Sequence, residues 1–216
     1  MKPRNIAIMM FCFFACAAVL VALNIRAKMN GNDLESQWET TIEDLYDSSS
    51  TAYIHSMRYG SYARQAAIEN DHARKSLFLA LAYSEQVHEQ MCARATQLFG
   101  GNYTPPYYGA DISTTTNENL SRSIALAHSR HRLSQGSAAT RALKSGNRYA
   151  ARILIWINGS NRRHIELLEH SQNQNPTTSQ SRGYLVCPKC GNIYHTSSYD
   201  IYCPFCQTHY SDFKQF

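Results

Sequence analysis

The chain has 216 residues, with 21 Lys or Arg against 16 Asp or Glu and a formal net charge of +5. That length allows one mid-sized domain and a small one. An ordinary hydrophobic content of 44% supports a buried core and excludes a wholly disordered chain.

Residues Ile6 to Ile25 form an apolar run without charge, flanked by Lys2 and Arg4 before it and Arg26 and Lys28 after it. About twenty apolar residues can span a bilayer. Residues 1–28 are therefore expected to be an uncleaved N-terminal transmembrane helix, giving a single-pass, membrane-anchored protein of unspecified side. Export after signal cleavage is the rival reading, although no clean small-x-small site follows the run.

Residues 40–171 are expected to fold as a bundle of four helices. The first reads from Thr40 to about Ile68, with Ile42, Leu45, Ala52, Met57, Tyr59 and Tyr62 as apolar bulk. Asn70-Asp71 breaks the chain. The second runs to Leu98 on the stripe Phe78, Leu81, Glu85, His88 and Cys92, at steps of three and four. Gly100-Gly101 and Pro105-Pro106 mark a long loop. The third reads from Asn117 to about Lys144, with Leu120, Ile124, Ala127 and His131 on one side. Ser145-Gly146-Asn147 interrupts it, and the fourth follows to Ser171 on the stripe Ile153, Ile157, Asn161, His164 and Leu168. Short, long and short connections suggest two hairpins joined by a crossover. The halves are weakly alike: Asn70 lies eighteen residues before His88, and Gly146 eighteen before His164.

Between Asn119 and Ile165 there are eight Arg and one Lys but no Asp or Glu. This is either a solvated face or a surface on the third and fourth helices for an anionic partner. No nucleic-acid motif accompanies it, so nucleic acid is not expected. Residues 172–183 are polar, contain Pro176 and read as a linker.

The segment 184–216 carries Cys187-Pro-Lys-Cys190-Gly and Cys203-Pro-Phe-Cys206, with twelve residues between the pairs. A tight turn after each first Cys returns the second sulfur to the same ion, so two pairs supply tetrahedral sulfur ligation for Fe or Zn. A segment this short lacks a sufficient core, so the ion is expected to hold it together. Of the remaining Cys, Cys12 and Cys16 lie in the apolar run and Cys92 in a helix, which is not the usage of a disulfide-stapled exoprotein.

Glu85 and His88 form a Glu-x-x-His pair whose side chains leave one helix face together, as ligands of a metal in a bundle core do. With the two knuckles, this pattern resembles the rubrerythrin family. Tyr62-Ala-Arg-Gln-Ala66 through Ala82-Tyr-Ser-Glu-Gln-Val-His88 is similar to its first hairpin, and Thr116-Asn-Glu-Asn-Leu120 to the start of its second. The resemblance implies an all-α, four-helix ferritin-like bundle, a small C-terminal rubredoxin-like or zinc-ribbon β domain, and homodimer formation. It also implies peroxide reduction at a di-iron site fed by electrons through iron at four sulfurs.

The sequence departs from that pattern where the irons would sit. The window Ser49–Ala52 holds only Ser, Thr and Ala where the family has a Glu on its first helix. Ala127 and Arg130 stand where it has Glu on the third, and Asn161-Arg-Arg-His164 replaces its Glu-x-x-His on the fourth. Glu85, His88 and His164 alone remain as a residual bundle site. One carboxylate cannot bridge and terminate two irons, and Arg130 adds positive charge, so no di-iron centre is expected. Arg130 is expected to pair with Glu85 instead. The other arrangement is a mononuclear site in which His128 and His131 join Glu85, His88 and His164. Gln207 replaces the Gly usual after the last Cys, which favours Zn. Two functions follow: an electron-transfer or peroxide-related oxidoreductase working through iron at Cys187, Cys190, Cys203 and Cys206, or a non-catalytic membrane-tethered scaffold with structural Zn.

Overall fold

The computed structural model describes residues 38–109, 114–134, 137–173 and 183–216. Among them five helices follow in order: α1 (38–68), α2 (His72–Leu98), α3 (Thr116–Ser134), α4 (Ser137–Lys144) and α5 (Arg148–Gln172). Strands β1 (Tyr184–Val186), β2 (Ile193–His195) and β3 (Lys214–Gln215) and a 3-10 turn (Tyr210–Asp212) complete the chain. Thr40–Phe216 forms one compact unit.

Two expectations need correction. The bundle has five helices where four were expected, because the third is divided into α3 and α4. Gly136 lies between them in the sequence, and glycine is the poorest helix former after proline. The membrane-anchored reading is also corrected: no helix among the described residues is long and apolar enough to cross a membrane. The described helices are amphipathic; α5 alone carries Arg148, Arg152, Arg162, Arg163, Glu166 and Glu169. The run Ile6 to Ile25, with its signal-peptide alternative, lies outside the described residues, as does 174–182 of the expected linker.

The two helix junctions are the same turn used twice. Asn70 takes φ 58° and Gly146 φ 79°, the left-handed conformation that ends a helix. Asp71 N–H donates to Ala66 O at 2.8 Å, and Asn147 N–H to Ala142 O at 2.8 Å. The next helix then starts from a side-chain cap, Asp71 Oδ1 accepting from Arg74 N–H and Asn147 Oδ1 from Ala150 N–H, both at 3.0 Å. The weak internal symmetry of the sequence is thus a repeated turn that sets His88 and His164 at equal distances along their helices.

The bundle interior has three layers. Leu45, Cys92, Ala95, Ala142, Ala150, Ile153 and Ile157 form an apolar cluster at one end. Tyr59, Tyr62, Phe78, Leu81, Leu120 and Leu168 form another at the opposite end, joined by Tyr184, Val186 and Ile193 of the sheet. Between them along α2 and α5 lie the buried polar residues Glu85, His88, Asn161 and His164. The sheet has the order β2-β1-β3, both pairings antiparallel, with Leu185 opposite Tyr194 and Gln215. Side chains alternate across a strand. Tyr184 and Val186 therefore join the bundle core, while Leu185 and Tyr194 turn to the cysteines.

Candidate metal centre

The two Cys-x-x-Cys turns have the same backbone. Cys187 N–H donates to Asn192 O at 3.0 Å, and Cys203 N–H to Thr208 O at 2.8 Å. Gly191 N–H returns to Cys187 O at 2.9 Å, and Gln207 N–H to Cys203 O at 2.8 Å. Each turn needs a positive φ at its fifth residue: Gly191 takes 77° and Gln207 60°. Gln207 adopts this conformation at a cost of about 1–2 kcal/mol. The missing glycine therefore does not change the knuckle, which removes the ground for favouring Zn at Gln207.

The turns bring the sulfurs of Cys187, Cys190, Cys203 and Cys206 all within 4.8 Å of one another. Cys187 Sγ stands 3.4 Å from Cys206 Sγ, and Cys190 Sγ 3.4 Å from Cys203 Sγ. These are free thiols, well beyond the ~2.05 Å of a disulfide. Four sulfurs bound at ~2.3 Å to one tetrahedral ion stand roughly 3.8 Å apart, so the donor set fits a single Fe or Zn. Backbone amides of Lys189 and Cys190 donate to Cys187, that of Asn192 to Cys190, and that of Cys206 to Cys203. Tyr194 O–H donates to Cys203 Sγ at 3.2 Å, and Thr208 Oγ1 lies 3.2 Å from Cys206 Sγ. Phe213, Leu185, Tyr194 and Trp156 pack around the sulfurs.

The polar layer of the bundle is organised differently. Arg130 Nη2 donates to Glu85 Oε1 at 2.7 Å and to Asn161 Oδ1 at 2.8 Å. The expected ion pair is present. Glu85 Oε2 accepts from His88 Nδ1 at 3.3 Å, and His164 Nδ1 lies 3.5 Å from Glu85 Oε1. Burial pushes the Glu85 carboxyl up, but the Arg130 charge, with the His88 bond beside it, outweighs burial and holds it well below the usual carboxylate range. Both Glu85 oxygens are thus engaged, and among the described residues no second carboxylate bonds to this group. Among the described residues only the four cysteines form a group of metal-ligating side chains close enough for one ion. The residues of the bundle do not fit the dinuclear iron that the sequence resemblance implies. His128 is drawn away as well, its Nε2 bonded to Glu169 Oε1 at 2.8 Å.

The two sites touch. Ser84 O–H donates to Gly191 O at 2.5 Å. A hydroxyl has one hydrogen, so Ser84 Oγ accepts from His164 Nε2–H, 2.9 Å away. This fixes the neutral tautomer of His164; burial lowers its pKa to about 4 against the opposing pull of Glu85. Ser160 O–H also donates to Gly191 O, at 3.3 Å. His88 and His164 stack with centroids 5.8 Å apart.

Sequence reasoning missed Ser84, Ser160 and His55. His55 is buried on α1 beside Tyr59, ring centroids 6.0 Å apart, and burial and then the Arg130 charge lower its pKa to about 3. Its signal was present: His55 follows Ala52 at i and i+3, on the face that lost its Glu.

The family model described as Rubrerythrin matches residues 53–171, more than half of the chain. This chain belongs to the rubrerythrin family. Solved structures of nigerythrin share the fold. The fully reduced, all-ferrous state matches with a TM-score of 0.73 and 19% identity, covering 82% of this chain and 86% of that one. The mixed-valent state matches at 0.73 and 18%, with the same coverage. Nothing among curated proteins matches. The bundle of this rubrerythrin-family chain is ferritin-like and carries the small C-terminal sheet with its cysteine cluster.

Proposed function

We propose that this chain is a one-electron carrier of the rubrerythrin family, with iron at Cys187, Cys190, Cys203 and Cys206 and a bundle that is a metal-free support. The observation that carries this reading is the contrast between the two sites. The sulfurs already converge within 4.8 Å, whereas Glu85, the only carboxylate among the described residues of the bundle's polar layer, is neutralised by Arg130 at 2.7 Å. Iron in four thiolates alternates between ferric and ferrous states, which Zn cannot do. The Tyr194 hydroxyl and the knuckle amides withdraw electron density from the sulfurs, which favours the reduced form. Phe213, Leu185 and Trp156 exclude water, and the two Gly191–serine bonds hold the cage to α2 and α5, so little rearranges when charge changes. The bundle supplies no peroxide chemistry in this reading.

Elemental analysis and visible absorption of protein purified from cells supplied with both metals test it. One Fe per chain and a red colour that bleaches reversibly on reduction are expected. Three Fe per chain would overturn the metal-free bundle. One Zn in a colourless protein would overturn the carrier and leave a non-catalytic scaffold clipped by Zn.

A further inference from the structure

Where the second knuckle meets α2 and α5 there is a cavity of about 540 Å³, within the range of small-molecule sites. Its walls carry three cations, Arg94, Arg152 and Lys189, three aromatic rings, Tyr149, Trp156 and Phe205, and no carboxylate. Three other arginines of the arginine-rich stretch are ion-paired: Arg130 with Glu85, Arg141 with Asp44, Arg163 with Glu166. The three in this cavity make no ion pair among the described residues. The Arg152 guanidinium stands over the rings of Tyr149 and Trp156, 5.5 and 5.3 Å from their centroids. Tyr149 and Phe205 remain 45% and 37% exposed. Phe205 is seated by close approach to α5, since a Cβ on Gly159 would stand 2.8 Å from its ring. Cys206, the least buried of the four sulfur residues at 7%, forms part of the wall. An adjoining cavity shares Met91, Arg94, Lys189 and Gln207 and adds one acid, Asp212.

We propose that this cavity binds a planar aromatic anion beside Cys206, its ring against Tyr149, Trp156 and Phe205 and its negative group held by Arg94, Arg152 and Lys189. Aromatic faces and unpaired guanidinium groups in one concave wall recognise a ring and a phosphate together. The concavity favours a small molecule over a flat acidic protein surface. The inference does not depend on which ion fills the sulfurs, so it stands or falls apart from the electron-carrier reading.

Isothermal titration of the full, metal-loaded chain tests it, with flavin mononucleotide, riboflavin and inorganic phosphate as probes. Flavin mononucleotide should bind saturably, one per chain. Riboflavin, which keeps the ring, and phosphate, which keeps the charge, should each bind at least about tenfold more weakly. Arg94→Gln and Arg152→Gln, both at exposed positions, should each weaken flavin mononucleotide about tenfold while leaving metal content unchanged, and Arg94→Gln should leave riboflavin affinity unchanged as well. Absence of saturable binding, equal affinity for riboflavin or phosphate, or indifference to both substitutions overturns the proposal.

Discussion

Gly191 lies directly against the imidazole of His88: a Cβ on Gly191 would stand 2.5 Å from His88 Nε2 and 2.9 Å from Ser84 O. The first knuckle is thereby fitted into the bundle's polar layer, and the residue that allows its positive φ also allows the contact. Gly191→Ala faces both the left-handed penalty and a clash with buried groups. We expect a loss of about 2–4 kcal/mol and faster amide exchange across 184–216. Gln207→Gly, at the matching position of the exposed knuckle, should instead gain up to about 1 kcal/mol. Unchanged exchange in Gly191→Ala would contradict the seam.

Arg130 and Glu85 are expected to behave as a unit. Arg130→Met alone leaves a buried carboxylate without its cation and should cost about 3–5 kcal/mol in urea unfolding. The double variant Arg130→Met/Glu85→Gln removes both charges and should recover most of that loss. Additive losses would mean that the pair is not coupled.

Acid should weaken the fold already above the ordinary carboxylate range. Burial and Arg130 hold the folded pKa of His55 at about 3, and burial holds that of His164 at about 4, against 6.5. Below 6.5 the unfolded chain takes up protons that the folded chain refuses. Stability is therefore full above 6.5 and falls as pH drops towards 3–4, by up to about 1.4 kcal/mol per pH unit for each histidine. Glu85, held low in the fold, adds a further loss as pH falls below the ordinary carboxylate range. Denaturant midpoints between pH 7 and 5 measure the slope. His55→Asn should make it shallower by about half, and an unchanged slope would exclude His55 as its source.

Removing the metal should separate the two parts of the chain. The three strands hold two, three and three residues, too few for a core without the ion. A chelator is expected to abolish amide protection in 184–216 while most helical circular dichroism survives. Simultaneous loss of both signals would show that bundle and sheet fold as one cooperative unit.

Much of this was legible in the residues. The paired Cys-x-x-Cys turns announce their ion because chelation by a tight turn is local. Glu85, His88 and His164 fall on core-facing stripes because helical period is local too. Arg130 announced itself as the partner of Glu85 by standing where a ligand belonged. His55 lies one turn beyond Ser49–Ala52, where the family pattern places its ligand, so the pattern itself does not point to it. The division of the third helix is not legible in the residues, because a single glycine weakens a helix without requiring a break.

The sequence alone determined the ligand chemistry and the number of acids available to the bundle, since both follow from residue type and short-range spacing. Tertiary structure decided that Gly191 of the knuckle rests on His88 and Ser84, and that Arg94, Arg152 and Lys189 share one cavity beside Cys206. Those neighbours lie tens of residues apart, and contact between them depends on how helices and sheet pack, for which no local pattern encodes a distance.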